Sequence, residues 1–272
     1  MSVATTATAT VSYRTAGPTA PATGTAAGTA PAAAPALVMV HGTGFGAEGT
    51  FGHLVEHFSA DRKVVLPDFA GCGETVDDGR ELTPELLAEQ IVAVIEAEGG
   101  EPVDLVGFSL GAVVAATVAA YRPDLVRRLV LTAGWARPDH PYLATHMTTW
   151  AGLADDPVAF GRFGTLTAFS PEFMTVLGPE ALSGIIAGNR PTEGALRHID
   201  LNLRADLRPL LPRITAETLV IGCTKDGTVP FALTRELADA VPGARFEALE
   251  SGHVVVYEQP EAFVALVAGF TA

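Results

Sequence analysis

The sequence contains very few cysteines and few basic residues, and both scarcities exclude classes of protein. Cys72 and Cys223 are the only cysteines among 272 residues, too few for a disulfide scaffold or a thiolate-rich metal site. A bridge between them has no support in the sequence, so we expect two reduced, partly buried thiols. Lysine and arginine number 17 against 31 acidic residues, a net charge of −14. Such a surface repels phosphate backbones and anionic lipids, so we expect neither a nucleic-acid partner nor a membrane partner.

Long hydrophobic runs are also missing. The longest apolar-leaning stretch beyond the N-terminal region covers residues 102–121, and Asp104, Ser109 and two glycines interrupt it. This pattern argues against a membrane span. The first 36 residues hold one basic residue, Arg14, and no sustained apolar segment, so we expect no secretory signal peptide and a cytoplasmic location. Hydrophobic residues nevertheless make up 48% of the chain, which is enough for a sizeable core.

Strand-like and helix-like patterns alternate along most of the chain. Residues 15–36 consist only of Ala, Thr, Gly and Pro, which cannot build a packed core, so we interpret them as a flexible loop. Helical patterns separate the strand-like segments, which indicates crossover connections and a mostly parallel sheet flanked by helices. The predicted strands are residues 11–14, 36–40, 63–67, 103–106, 129–132, 218–222 and 245–249.

The alternation stops between residues 134 and 213, a region rich in Phe, Trp, Met and Leu but without a strand-like run. An insertion of this size between two strands of a sheet is most simply a helical cap over one sheet edge. We therefore predict a core of residues 1–133 and 214–272, with residues 134–213 as a cap inserted after the strand at residues 129–132, the fourth counted from the strand at residues 36–40.

The pentapeptide Gly-Phe-Ser-Leu-Gly at residues 107–111 lies between a predicted strand and a predicted helix. A tight turn at this place exposes the Ser109 side chain, and the two glycines remove side chains that would clash there. The helix that begins at Leu110 directs its amide groups and its positive dipole end toward an oxyanion formed at the serine. The pattern predicts Ser109 as a nucleophile and the backbone N–H of Leu110 as an oxyanion donor.

At these residues the chain resembles the α/β-hydrolase family, and the resemblance extends from about Val11 to the C-terminus. The His-Gly-Thr-Gly at residues 41–44 is similar to the family's HG-x-G oxyanion loop, and residues 67–73 match its P-D-x-x-G-x-G loop. The resemblance implies an α/β-hydrolase fold and a second oxyanion donor at the backbone N–H of Thr43. The loop at residues 15–36 departs from the family, whose members cross there in a few residues.

A serine hydroxyl becomes a good nucleophile only when a base takes its proton. The chain order implied by the resemblance is serine, then acid, then histidine, which excludes His41, His53 and His57 as the base. His253 follows the last predicted strand, where the family places its catalytic histidine. Asp226 follows the strand before it, in a turn similar to the family's D-x-x-V-P. The resemblance therefore implies a Ser109–His253–Asp226 triad.

Aromatic residues and methionines of the predicted cap either pack it onto the sheet or line an apolar pocket for a bulky hydrophobic group. As candidate substrate contacts we name Trp135, His140, His146 and Trp150. His198 is either another polar cap residue or a further substrate contact. Two arginines of the same region, Arg197 and Arg204, either meet a substrate carboxylate or form surface ion pairs.

The sequence carries no H-E-x-x-H, C-x-x-C or complete G-x-G-x-x-G pattern, so we expect no metal and no cofactor. A serine at the elbow argues against the dehalogenase and epoxide-hydrolase branches, which the resemblance implies use aspartate there. The favoured function is hydrolysis of an ester, lactone or thioester of a largely apolar small molecule through an acyl-enzyme on Ser109.

Only two of the 17 basic residues are lysines, a bias typical of GC-rich bacterial genomes, and analogy with small capped hydrolases then suggests secondary metabolism. Two alternatives stay open. One is a non-hydrolytic enzyme (a cyclase, a lyase or a cofactor-free oxidant) that uses the three residues as an acid/base device. The other is a binding protein that has kept the fold, which the intact triad argues against. The sequence does not indicate the oligomeric state.

Overall fold

The structure is a computed structural model that describes residues 1–18 and 34–272. The strands are β1 (Ser2–Thr5), β2 (Ala9–Ala16), β3 (Ala34–Val40), β4 (Arg62–Asp68), β5 (Val76–Asp77), β6 (Val103–Phe108), β7 (Val126–Thr132), β8 (Glu217–Cys223) and β9 (Arg245–Leu249). The α-helices are α1 (Gly46–Phe51), α2 (Pro84–Ala97), α3 (Leu110–Tyr121), α4 (Pro141–Gly152), α5 (Pro157–Ala168), α6 (Pro171–Gly188), α7 (Glu193–Asn202), α8 (Phe231–Ala240), α9 (Val255–Glu258) and α10 (Pro260–Thr271). Short 3₁₀ helices cover Gly52–His57, Pro123–Leu125 and Leu211–Arg213.

The described strands form one sheet in the order β1-β2-β4-β3-β6-β7-β8-β9, with β5 paired to β2. The pairs from β4 through β3, β6, β7 and β8 to β9 are parallel, whereas β1, β2 and β5 pair antiparallel at one side. This arrangement confirms the prediction of a mostly parallel sheet flanked by helices.

The sheet carries a hydrophobic core on each face, because successive side chains of a strand point to opposite sides. In β3, Leu37 and Met39 pack into one core while Val38 and Val40 pack into the other. Helices α2, α3 and α8 contribute to the core that contains Val38, and α1 and α10 contribute to the core that contains Leu37. Burial on both faces explains why these strands are continuous apolar runs in the sequence.

One buried carboxylate lies near the start of β6, at the opposite end of that strand from Ser109. Asp104 accepts hydrogen bonds from Arg127 Nε at 2.8 Å and from the Arg62 guanidinium. Both arginines also bond Thr271, at 3.0 Å from Arg62 and 2.6 Å from Arg127. Asp104 therefore joins the last helix to the sheet and plays no part in the serine site.

Two features of the N-terminal region differ from the prediction. Strands β1 and β5 were not predicted, because short, partly exposed edge strands lack the apolar runs that identify central ones. The predicted loop at residues 15–36 begins too early and ends too late, since β2 continues to Ala16 and β3 begins at Ala34. Most of that loop lies in residues 19–33, outside the described part of the chain.

Residues 134–213 contain helices α4 to α7 and no strand. Each helix begins directly after a residue whose side chain accepts a backbone N–H of its first turn; these residues are His140, Asp156, Ser170 and Thr192. Proline occupies the first position of α4, α5 and α6, as helix starts favour. The division of the chain into a core and a cap stays a prediction. Among the described helices, none is long and apolar enough to cross a bilayer.

Candidate active site

Ser109 occupies the sharp turn between β6 and α3. Its φ of 57° lies in the left-handed region, which residues other than glycine rarely adopt. The turn has no room for side chains at the flanking glycines. A Cβ at Gly107 would lie 2.2 Å from the carbonyl oxygen of Gly111, and a Cβ at Gly111 would lie 2.0 Å from that of Val40. Close backbone packing therefore explains the Gly-x-Ser-x-Gly spacing.

A chain of hydrogen bonds joins Ser109, His253 and Asp226. His253 Nε2 lies 2.9 Å from Ser109 Oγ, and its Nδ1 lies 2.7 Å from Asp226 Oδ2. The other oxygen of Asp226, Oδ1, accepts the backbone N–H groups of Thr228 at 2.8 Å and Val229 at 2.7 Å. Both oxygens of the carboxylate are thus occupied, which fixes its orientation toward the histidine. The structure brings the three predicted residues together in the predicted order.

The loop that carries His253 is fastened by Glu258 of α9. The Glu258 carboxylate accepts the backbone N–H of Gly252 at 2.9 Å and both the N–H and the hydroxyl of Ser170 at 2.7 Å each. Ser170 directly precedes α6, so one half-buried carboxylate ties the histidine loop to the inserted helices. A Cβ at Gly252 would lie 2.5 Å from the nitrogen of Ser170, which leaves only glycine as a fit.

The predicted oxyanion donors lie on two sides of Ser109. Leu110 begins α3, and the amides of a first helical turn have no acceptor within their helix. Thr43 lines the same cavity as Ser109, and a Cβ at the preceding Gly42 would lie 3.1 Å from the Cβ of Ser109. The function of the Thr43 and Leu110 amides as oxyanion donors stays a prediction.

His198 of α7 fastens the segment that contains Thr43. Its Nδ1 accepts the backbone N–H of Gly44 at 3.2 Å, and its Nε2 lies 2.7 Å from the carbonyl oxygen of Ala70. Because an amide N–H can only donate, Nδ1 is unprotonated, so Nε2 carries the proton and donates it to Ala70. Burial lowers the pKa of His198 to about 3, which keeps the ring neutral. His198 is therefore a support of the loop rather than a substrate contact.

Asn202, one turn further along α7, supports the same loop. Its Nδ2 donates to the hydroxyl of Thr43 at 3.0 Å. The start of α7 also packs tightly against the loop at residues 67–73. A Cβ at Gly194 would lie only 1.9 Å from the carbonyl oxygen of Gly71. Helix α7 thus contacts both loops that the sequence resemblance singled out.

A cavity of about 380 Å³ extends from Ser109 and His253 between the sheet edge and the inserted helices. Its lining is mostly apolar and contains no Asp, Glu, Lys or Arg among the described residues. Helices α4, α5 and α6 contribute Met147, Trp150, Gly164, Thr165, Thr167, Ala168, Phe173, Leu177, Ile185 and Gly188. Such a lining suits an uncharged, largely hydrophobic ligand.

Of the four residues predicted to contact substrate, only Trp150 lines this cavity. Trp135 is fully buried in the core, where it serves packing. His140 caps the start of α4 instead, and His146 lies behind the cavity wall, with Nε2 2.9 Å from the hydroxyl of Thr167. The structure thus places Trp135 and His140 outside the cavity, and His146 touches the lining only through Thr167. Substrate contact by these residues stays a prediction.

The remaining sequence candidates lie outside the cavity. Arg197 bonds both carboxylate oxygens of Asp77 at 3.0 Å, and Arg204 pairs with Asp200 at 2.7 Å. These contacts agree with surface ion pairs rather than with a carboxylate-binding function. Both cysteines are buried and free, as expected.

Sequence reasoning named His198 without its supporting role, and it missed Asn202 and Glu258. The first two lie four positions apart on an amphipathic helix, which places them on one face, and this spacing was the available signal. Nothing local marks their partners, because those belong to loops more than 100 residues away.

Comparison with known proteins agrees with this geometry. Residues 37–266 match the model of the alpha/beta hydrolase family. A protein of Xenorhabdus hominickii named pyrrolizixenacetamide deacetylase is 38% identical over 238 residues, which cover 86% of this chain and 90% of that protein.

Solved structures share the fold. The alpha/beta hydrolase MGS-M2, from a deep-sea metagenome library of the Medee basin, superposes with a TM-score of 0.85 at 23% identity, covering 99% of this chain and 96% of its own. The enol-lactonase of Burkholderia xenovorans LB400 gives 0.79 at 24% identity, with 96% of each chain covered. The chain belongs to the alpha/beta hydrolase family, and it is a hydrolase.

Proposed function

We propose that this hydrolase cleaves a carboxylic ester or amide of a neutral, largely apolar small molecule through an acyl-enzyme on Ser109. The observation that carries the proposal is the Ser109–His253–Asp226 hydrogen-bond chain at the wall of an apolar cavity. Lactones and thioesters are included in the ester class. The amide is an extension of the sequence-based expectation, and its support is the 38% identical relative whose name denotes an acetamide substrate.

In the first step Ser109 Oγ attacks the carbonyl carbon while His253 Nε2 takes the hydroxyl proton. The imidazolium formed is stabilised by Asp226, which keeps the Nδ1 proton directed at its Oδ2 and remains ionised. The bond to the leaving group then breaks, and His253 gives its proton to the departing oxygen, sulfur or nitrogen. A water molecule, deprotonated by His253, attacks the acyl-enzyme and releases the carboxylic acid and Ser109.

The negative charge on the carbonyl oxygen is stabilised by the backbone N–H groups of Thr43 and Leu110. Each donor lowers the barrier by about 3 kcal/mol in enzymes of this kind. The Leu110 donor also benefits from the positive end of the α3 dipole. In this proposal residues 134–213 act as a cap that closes the cavity. The biological setting we propose is bacterial secondary metabolism.

The first test is the intact mass of the protein after incubation with a fluorophosphonate, for wild type and for Ser109→Ala. The matched control is Ser183→Ala, an exposed serine of α6. We expect one phosphonyl adduct on wild type and on the control and none on Ser109→Ala. Labelling that persists in Ser109→Ala would contradict the assignment of the nucleophile.

The second test defines the bond and the chemistry. Turnover of p-nitrophenyl acetate and p-nitroacetanilide compares an ester with an amide that carries the same acyl group. In water enriched in ¹⁸O, hydrolysis places one solvent oxygen in the acid product, whereas a cyclase or a lyase places none. Turnover without solvent oxygen would favour the non-hydrolytic use of the triad.

A further inference from the structure

The hydroxyl of Thr165 in α5 is buried and has no hydrogen-bond partner among the described residues. The side chain is 2% exposed and lines the cavity. Three other buried helical threonines donate to the carbonyl oxygen four residues earlier: Thr50 at 2.8 Å, Thr117 at 2.8 Å and Thr271 at 2.9 Å. A fourth, Thr234, donates to the carbonyl oxygen of Gly134 at 3.0 Å. Thr165, which lines the cavity, does not use the local acceptor four residues earlier, and its buried hydroxyl has no partner in the described part of the chain that a ligand would displace.

Asn189 supplies a second free polar group on the same wall. It follows the last residue of α6, is 7% exposed and lines the cavity. Within the described residues its side-chain amide makes no hydrogen bond, although its backbone N–H bonds the carbonyl oxygen of Ile185 at 3.0 Å. A Cβ at Gly164 would lie 2.4 Å from Asn189 Nδ2, so the amide lies against α5 one position before Thr165.

Thr165 and Asn189 are polar residues in a mostly apolar part of the cavity lining. Trp150, Leu177 and Ile185 belong to the same lining, and within residues 1–18 and 34–272 that lining includes no acidic or basic side chain other than His253. A buried polar group without a hydrogen-bond partner lowers the stability of the folded protein. A cavity wall that combines the buried hydroxyl of Thr165 with the unbonded amide of Asn189 is suited to a ligand that satisfies both groups.

We propose that Thr165 and Asn189 form a subsite for an uncharged amide-type group of the substrate, such as a carboxamide or a lactam, separate from the carbonyl that Ser109 attacks. A hydroxyl and a carboxamide each donate and accept, which matches a ligand that presents both a carbonyl oxygen and an N–H. A charged group does not fit, because the lining offers it no counter-charge. The inference rests on the proposed function, since it concerns the substrate of the same cavity.

Pairs of esters that differ only by an amide test the subsite. On the acyl side, p-nitrophenyl 5-acetamidopentanoate is compared with p-nitrophenyl octanoate, and the 3-acetamidopropanoate with the hexanoate. On the alcohol side, the acetate of N-(2-hydroxyethyl)acetamide is compared with pentyl acetate. We expect kcat/KM of at least one amide ester to exceed that of its alkyl partner about tenfold, because a satisfied hydrogen bond discriminates by this order.

Two variants test whether Thr165 and Asn189 cause the preference for amide esters over alkyl esters. Thr165→Val keeps the shape of the side chain and removes the hydroxyl, and Asn189→Leu removes the amide. We expect the amide-to-alkyl ratio to fall to about one in each, and Thr175→Val, the same change at an exposed threonine of α6, to retain the wild-type ratio. A wild-type ratio at or below one in every pair, or a ratio that neither variant changes, overturns the subsite.

Thermal unfolding gives a readout that needs no substrate. Thr165→Val replaces an unsatisfied buried hydroxyl by a methyl group, so we expect Tm to rise by about 2 °C. A lower Tm would mean that the fold itself uses the hydroxyl, and it would overturn the proposal. Fluorophosphonate labelling in the same preparations separates the two hypotheses. Labelling and alkyl-ester turnover without any amide preference refutes the subsite alone, whereas the absence of both refutes the proposed function and the subsite with it.

Discussion

Helices α6 and α7 follow each other in the chain, yet they contact the rest of the molecule in opposite ways. Helix α7 buries five of its ten residues, among them His198 and Asn202. Helix α6 has 18 residues and buries none, and it bends at Gly178 and Pro179. Both helices take part in the site. Only α7 is bonded to the loop that carries Thr43.

The difference separates two requirements of one cavity. Donors that stabilise a transition state must be held in position to within a fraction of an ångström. In the proposed function the Thr43 amide is such a donor, and α7 holds its loop by partly buried hydrogen bonds. A wall that contacts only apolar parts of a substrate tolerates movement. Helix α6 supplies such a wall through Phe173, Leu177 and Ile185. We infer that changes in α7 act on kcat, and changes in α6 act on KM.

Acid gives the largest expected effect, and it acts through three buried histidines, of which His198 belongs to α7. Burial lowers the pKa of His41 and of His146 to about 4 and that of His198 to about 3, from 6.5. The unfolded chain binds these three protons near pH 6.5 and the folded chain does not, so stability is full above pH 6.5 and falls as the pH drops toward 4. Near pH 5, each unit by which the pH falls should lower the free energy of unfolding by about 4 kcal/mol, summed over the three histidines.

Urea unfolding at several pH values measures this slope. His198→Asn removes one of the three groups and should reduce the slope by about 1.4 kcal/mol per pH unit, because one proton fewer is taken up on unfolding. Val176→Ala, at an exposed position of α6, should leave the slope unchanged. An equal slope in wild type and His198→Asn would show that His198 is not held neutral by the fold.

The second effect is catalytic. His198→Ala leaves the backbone N–H of Gly44 and the carbonyl of Ala70 without partners, so the Thr43 segment loses its fixed position. We expect kcat to fall about 100-fold with KM nearly constant, the size of effect seen when one oxyanion donor is lost. His198→Asn presents an acceptor close to the position of Nδ1 and should restore part of kcat.

A loss that appears in KM alone would contradict the distinction between α7 and α6. Thermal unfolding of His198→Ala accompanies the kinetics, so that a fall in kcat is measured only on folded protein. Val176→Ala again serves as the comparison from α6, with both kinetic constants expected to stay at the wild-type values.

A smaller effect on kcat is expected at Asn202, one turn after His198 in α7. Asn202→Leu removes the hydrogen bond to the Thr43 hydroxyl, and Thr43→Val removes the same bond from the other side. Each variant should lower kcat about tenfold, and the double variant should lower it no further, because both changes delete one interaction. Additive losses in this double-mutant cycle would show that the two side chains act independently.

The sequence was sufficient for the central strands of the sheet and for the three hydrogen-bonded residues, and it was insufficient for the edge strands β1 and β5 and for the residues that support the site. Ser109 and the strands next to it are marked locally, by glycines that close packing requires and by apolar runs. Trp135 shows the limit, since a tryptophan in an inserted segment fits a core and a pocket equally well. Thr165 shows it more sharply. Its hydroxyl lacks a hydrogen-bond partner because of how the cavity wall packs in the folded protein, and no sequence pattern predicts the absence of a hydrogen bond.

The smallest effect tests whether α6 is as loosely held as its exposure indicates. Gly178 has a φ of +73°, and a Cβ there would meet no atom within 4 Å, so Gly178→Ala strains the backbone without a clash. Gly184 also faces open space but lies inside the helix with ordinary torsion angles. We expect Gly178→Ala to destabilise α6 and Gly184→Ala to stabilise it, each by about 1 kcal/mol.

Hydrogen exchange of the α6 amides, compared with those of α7 in the same samples, measures these changes. Because α6 buries no residue, the changes should stay within that helix: its protection should fall in Gly178→Ala and rise in Gly184→Ala, with α7 unaffected. KM should follow in the same order while kcat stays constant. If protection in α7 changed together with that in α6, the two helices would unfold as one unit, and the inserted segment could not be divided into a catalytic support and a substrate-binding wall.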